Sequence, residues 1–248
     1  MQAIDLNCDM GEGLANDALL MPLISSANIA CGYHAGNKSV MQYTIDLALA
    51  HGVAIGAHPG YADKVNFGRV AMQLSETEIY DLVTQQIFLL QKIADASGTS
   101  LHHVKPHGAL YNQSANNPSL AAIIAQAVFD VDTNLILYGL SGSVSITEAR
   151  KKGLKTANEV FADRTYQPDG SLTPRSQPNA MIETPAGSIR QVLQMIQDKT
   201  VTTPNGTIVP IQADTVCIHG DGPHALAFAK HINEVLQQKG LVIKSILS

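Results

Sequence analysis

Short apolar runs rich in β-branched residues recur along the chain, and most are followed by a stretch in which apolar positions return every three or four residues. This alternation predicts repeated parallel βα units. Strands are expected at AIDLNC from Ala3, ANIAC from Ala27, VAIGA from Val53, HHVKP from His102, LILYG from Leu135, TANEVFA from Thr156, TVCIHG from Thr215 and LVIKSIL from Leu241. Helical periodicity covers residues 39–50, 75–96, 118–129, 143–152, 188–199 and 223–238, and Ser75 with Glu78 has capping-box spacing. Seven or eight such units close most naturally as a TIM-barrel-like α/β fold, a single βα-barrel domain over residues 1–248. A doubly wound open sheet is the alternative.

Two stretches break the rhythm. Residues 163–185 hold Pro168, Gly170, Pro174, Pro178 and Pro185, which excludes a continuous helix and predicts a long loop of the kind that often covers an active site. Residues 201–211 place Asn205-Gly206 between two β-like runs and predict a small hairpin decorating the surface. The first strand carries a further irregularity. Asp5, Asn7 and Asp9 alternate with Leu6, Cys8 and Met10, so one face of a core strand is a polar stripe.

Composition narrows the function classes. The chain has 248 residues, 45% of them apolar, enough for one large core. Charged residues make up 15% and the net charge is −5, so no basic field gathers nucleic acid. Neither a basic-then-apolar leader nor an apolar run of spanning length occurs, and a cytoplasmic protein without a membrane partner is expected. Cys8, Cys31 and Cys217 are widely spaced with no CxxC pair, which favours buried thiols over disulfides or a thiolate zinc site. No GxxxxGK[ST] and no GxGxxG after a strand is present, so the chain shows no nucleotide site of its own. DLNCDMGEG mimics the start of a calcium loop, but its glycine falls at the seventh position and Asn16 replaces the closing glutamate.

Chemistry-bearing residues collect after the predicted strands. His34 follows the second, His58 the third, Lys105 and His107 the fourth, and His219, Asp221 and His224 the seventh; the sixth ends in Glu159, Asp163 and Arg164. In a βα barrel these positions converge on one mouth, into which the Asn7 and Asp9 stripe and Glu12 would rise. Lys105, in a strand beside Pro106, is expensive to bury without a purpose. Arg69, Arg164 and Arg175 lie in loops and suit a substrate carboxylate or a phosphate. Glycine follows within two residues of His34, His58, His107 and His219, an arrangement suited to tight turns around a bound molecule. His51, His102, His103 and His231 are read as structural. Asp9, His34 and His58 are candidate ligands for a divalent metal, on assumed convergence alone.

DLNCDMGEG, ANIACGYHAGN, VAIGAHPGY, VKPHGALYN, EVFADRTY, DGSLTPR and CIHGDGPHA occur in this order, and together they resemble the LamB/YcsF family over residues 3–246. The resemblance implies a barrel of the glycoside hydrolase/deacetylase kind and ATP-dependent opening of 5-oxoproline to L-glutamate, with this chain as the A component of a 5-oxoprolinase acting with subunits B and C. The HxxxH zinc pair of polysaccharide deacetylases is missing, since Lys38 stands four residues after His34. On this reading ATP is used through the partners. Asp9, Lys105, His107, Asp163, Arg164, His219 and Asp221 are the expected catalytic set, with Asp9 or His219 as general base. Asn7, Glu12, His34, His58, Arg69, Glu159, Arg175 and His224 are the expected substrate contacts. The rival readings are a stand-alone metal-dependent sugar deacetylase and a non-catalytic 5-oxoproline-binding subunit.

Overall fold

The computed structural model describes residues 3–219 and 225–247. Strand β1 (Ala3–Met10) leads through the short helix α1 (Asp17–Leu20) to β2 (Ser26–Ala30), α2 (Lys38–His51), β3 (Ala54–His58) and α3 (Glu76–Ala96). The chain continues with β4 (His103–Val104), α4 (Gly108–Ser114), α5 (Pro118–Val131), β5 (Ile136–Leu140), α6 (Val144–Lys152), β6 (Lys155–Phe161) and α7 (Pro185–Leu193). A hairpin of β7 (Thr200–Thr202) and β8 (Ile208–Pro210) precedes β9 (Thr215–Ile218), α8 (Ala225–Gln238) and β10 (Val242–Ile243).

Strands β1 to β6 pair in chain order and in parallel, and β9 pairs with both β6 and β1. Seven strands therefore close a barrel, and the doubly wound alternative is excluded. The eighth expected strand, β10, adds to β1 only at Ala3 and Ile4, because β9 occupies that edge from Asp5 onward. Helix starts follow local chemistry. Ser75 and Glu78 form the reciprocal capping box of α3, and Asn37 and Asn117 accept from the backbone N–H of Val40 and Leu120.

The structure corrects three of the expected elements. Helix α4 was not expected, because its seven residues begin at a glycine directly after His107 and are too few to show a period. Helix α7 begins at Pro185 instead of residue 188, since Thr184 caps it and proline suits the first helical position. It passes at Gln194–Asp198 into a π turn. The hairpin is more than decoration: Val201, Val209 and Ile211 bury their side chains in the main core.

The barrel interior is polar. Leu6, Cys8 and Met10 of β1 are fully buried in the main apolar core, while the alternate residues point across the barrel axis. Asp5, at the floor, accepts from Ser25 Oγ (2.6 Å), Ser26 Oγ (2.7 Å), Thr215 Oγ1 (2.6 Å) and Tyr138 OH (3.0 Å). Burial nonetheless raises its pKa, which these four donors only moderate. One layer up, Asn28 Nδ2 donates to Asn7 Oδ1 and to Asp9 Oδ1, both at 2.8 Å, and Asn28 Oδ1 meets His103 Nε2 at 2.8 Å. The stripe on β1 is thus a ladder of satisfied polar layers that ends at the mouth.

Candidate active site

At the top of the ladder the Lys105 ammonium, 3% exposed, lies 2.9 Å from Asp9 Oδ1 and 2.8 Å from Glu159 Oε1. Asn7 Oδ1 accepts from it at 3.3 Å and Cys217 Sγ stands 3.1 Å away. Burial works against this charge, but the carboxylates outweigh it and hold the Lys105 pKa well above its ordinary value. Burial likewise opposes the Asp9 charge, and His58 and Lys105 overcome it, keeping the carboxyl ionised well below the usual range.

Three histidines from three segments meet beside this ion cluster. His58 Nδ1, at the end of β3, donates to the Lys105 carbonyl at 2.7 Å, which leaves Nε2 facing Asp9 Oδ2 at 3.3 Å and His107 Nδ1 at 3.0 Å. His107 Nε2 in turn donates to the Phe67 carbonyl at 2.8 Å. The His34 ring stacks on His107 with centroids 3.8 Å apart, and neither of its nitrogens makes a hydrogen bond among the described residues. Burial, joined by neighbouring imidazoles, pushes His34 far below its usual pKa and His107 down to about 3. Glycines make this packing possible. A Cβ on Gly60 would stand 2.8 Å from His34 Nδ1, and Gly108, at φ +54°, would place one 2.6 Å from the Gly68 carbonyl oxygen. The room that a Cβ would take at these glycines is occupied by the His34 and His107 rings and by backbone.

Across the mouth, both oxygens of Asp163 lie 2.9 Å from His219 Nδ1, and Phe161 stacks on the His219 ring. Burial opposes the Asp163 charge, but His219 outweighs it and leaves the carboxyl below its usual range. The contact assigns Nδ1 as the donor to Asp163 and makes Nε2 the ring nitrogen turned away from that carboxylate. Residues 163–185 form a wall rather than a detached flap. Arg164 pairs with Met181 and Tyr166 with Leu172 as isolated bridges, and Arg164 Nη2 donates to the Thr173 carbonyl at 2.6 Å. Burial and then nearby Arg175 lower the Arg164 guanidinium to about 10.

These groups surround a cavity of about 500 Å³. Of the residues singled out from sequence, Asp9, Glu12, His58, Arg69, Lys105, His107, Arg164, Arg175 and His219 line it. Asn7, His34, Asp163 and Glu159 do not; they lie behind the surface, in contact with groups that do. Asp221 and His224 lie outside the described residues. As for metal candidates, His34 and His58 group with Glu12 and His107, whereas Asp9 groups with Cys217 and His219. Sequence reasoning missed Asn28 and Tyr111. Asn28 had a readable signal, a polar residue in the middle of an apolar strand, and it faces Asp9 in register. Tyr111, on α4, lines the cavity and had none.

The sequence profile of the LamB/YcsF family matches residues 4–248. The chain belongs to the LamB/YcsF family. This LamB/YcsF chain is 54% identical to the A subunit of 5-oxoprolinase from Tolumonas auensis, over 99% of this chain and 100% of that one. It superposes on the crystal structure of the lactam utilization protein from Thermus thermophilus with a TM-score of 0.94 at 42% identity, over 99% of this chain and 100% of that one. The catalytic domain of a peptidoglycan N-acetylglucosamine deacetylase from Eubacterium rectale matches at a TM-score of 0.56 and 14% identity, over 100% and 89% of the two chains, and shares the fold alone. Among the described residues no helix is long and apolar enough to cross a membrane.

Proposed function

We propose that this chain is the A component of an ATP-dependent 5-oxoprolinase, opening the lactam of 5-oxoproline to L-glutamate together with subunits B and C. The observation that carries the reading is the end-to-end similarity to the A subunit of a 5-oxoprolinase, over a mouth where cationic, acidic and basic groups converge. A five-membered lactam is a resonance-stabilised amide that recloses readily, so its opening near neutrality benefits from coupling to ATP. This chain has no phosphate-binding loop motif. The partners therefore phosphorylate the lactam oxygen, and the cavity receives the activated species; its volume exceeds what the lactam alone needs.

Within the cavity His219 is the general base. Asp163 fixes its Nδ1–H, so Nε2 takes a proton from water as the water oxygen adds to the activated ring carbon. The ring C–N bond then breaks as that proton passes to the departing amine, and the acyl phosphate left behind loses phosphate to a second water, giving L-glutamate. Asp9 is the weaker candidate, because Lys105, Asn28 and His58 already engage its oxygens. Lys105 and Arg164 stabilise charge growing on the oxygen and the departing phosphate, and Arg69 or Arg175 at the rim holds the substrate carboxylate. Tyr111 lines the same wall.

The test is glutamate release from 5-oxoproline by the purified chain, alone and with subunits B and C, with and without ATP. Release only with both partners and ATP supports the reading. No release under any condition from a folded protein refutes it, and release of acetate from acetylated sugars by the chain alone would put a deacetylase in its place.

A further inference from the structure

We propose that Glu12, His34, His58 and His107 form a binding site for one divalent transition-metal ion of the zinc class in the wall of the cavity. The inference stands on geometry and does not depend on the lactam reading. One donor atom from each residue lies within 4.8 Å of the other three. The measured edges are 3.0 Å from His58 Nε2 to His107 Nδ1, 3.6 Å from His107 Nδ1 to Glu12 Oε1, and 3.7 Å from His34 Nε2 to Glu12 Oε1. Bonds of about 2.0–2.1 Å to a tetrahedral ion imply donor separations of about 3.3–3.4 Å, in the middle of that range.

The tautomers point the same way. His58 Nδ1 and His107 Nε2 both donate to backbone carbonyls, so in the neutral rings His58 Nε2 and His107 Nδ1 are bare lone pairs 3.0 Å apart. Two lone pairs at that distance repel, so a cation belongs against both: either a proton on His58 Nε2, which also faces Asp9 Oδ2 at 3.3 Å, or a metal ion. Backbone carbonyls on the outer nitrogens are also the usual way a protein aims imidazoles at a metal. His34 is 1% exposed with no hydrogen bond at either nitrogen among the described residues, and its Nε2 borders the same space. A buried imidazole with no hydrogen bond is destabilising, and an ion would supply a bonded partner for one of its nitrogens.

The His34 and His107 planes are 5° apart, and parallel stacked rings cannot both aim in-plane lone pairs at one ion. Ion binding therefore turns His34 out of the stack, a motion that breaks no hydrogen bond. Glu12 and His107 line the cavity, so the ion sits within reach of a bound ligand.

The experiment uses the whole chain, stripped with chelator and titrated with Zn²⁺ or Co²⁺, with bound metal measured by elemental analysis and the cobalt form by its visible spectrum. One ion per chain, with the strong ligand-field bands of four-coordinate cobalt, is expected. Glu12→Gln and His107→Ala should each weaken binding about 100-fold or more while melting cooperatively. His219→Asn, in the second donor group with Asp9 and Cys217, should bind as the wild type does. Failure of the wild type to retain metal overturns the proposal in favour of a proton shared between His58 and His107. Full binding by both Glu12→Gln and His107→Ala, or loss in His219→Asn alone, overturns the assignment to these residues.

Discussion

Replacing Lys105 by methionine keeps an unbranched side chain one atom shorter and removes the ammonium with its charge and its donors. Two carboxylates, Glu159 fully buried and Asp9 8% exposed, then lose the ammonium that stands 2.8 and 2.9 Å from them. Deleting one partner of a buried pair costs about 3–5 kcal/mol, because the other charge stays desolvated. Against a total stability of about 5–15 kcal/mol the variant remains folded but weakened. At about 2–4 °C per kcal/mol for a chain of this size, its melting temperature falls by roughly 6–20 °C. The pH dependence carries the diagnosis. Carboxylates stranded in the fold bind a proton more readily there than in the unfolded chain, so the variant is most stable at low pH and loses stability as pH rises. Urea unfolding at pH 8 and at pH 5 should show the gap to wild type widest at pH 8. Lys105→Met combined with Glu159→Gln should recover part of it. Equal unfolding midpoints for variant and wild type at pH 8, or a deficit independent of pH, would refute the charge argument. Turnover of the assembled enzyme should drop at least about 10²-fold, the usual effect of removing one preorganised donor.

Asp163→Asn should lower kcat by about 10²–10⁴-fold with little change in KM or melting temperature, because it disturbs the His219 tautomer while leaving the cavity shape intact; steady-state kinetics with an unchanged kcat would remove the pair from proton transfer. His103 is held far below its usual pKa by burial first, and then by His102 and Lys105. Its contribution to stability is therefore present above about pH 6.5, where the unfolded chain begins to take up the proton, and is lost as pH falls toward the folded value. Unfolding free energies at pH 7.5 and 5 should diverge less in His103→Gln than in the wild type.

Much of the barrel was legible because its strands are apolar runs and its helices repeat with the right period. The polar stripe on β1 was legible for the same reason in reverse: Asn7 and Asp9 break an apolar pattern with the parity of one face. Lys105 stood out as a charge in a strand. What stayed hidden depends on contacts across the barrel, which spacing along the chain does not encode. His103 looks like any histidine near a strand, and only the fold shows it stacked on Tyr138 and facing Asn28. Glu12 and Asp9 lie three residues apart, yet they belong to different donor groups because the chain turns after β1. Asp163 and Glu159 read as mouth residues, and their task is to hold His219 and Lys105 from behind.

The closure of the barrel between β9 and β1 sets the order in which the site can come into being. Asp5 reaches Thr215 across 210 residues of sequence, and Lys105 meets Cys217 across 112. Contacts of such separation form late, since the intervening chain must be ordered before they can offset its lost entropy. A nascent chain that has folded only as far as β6 exposes the acidic edge of β1 to water, with no partner strand and no Asp163–His219 pair. Assembly of the chemistry and completion of the fold are then one event, which keeps an unfinished chain catalytically silent.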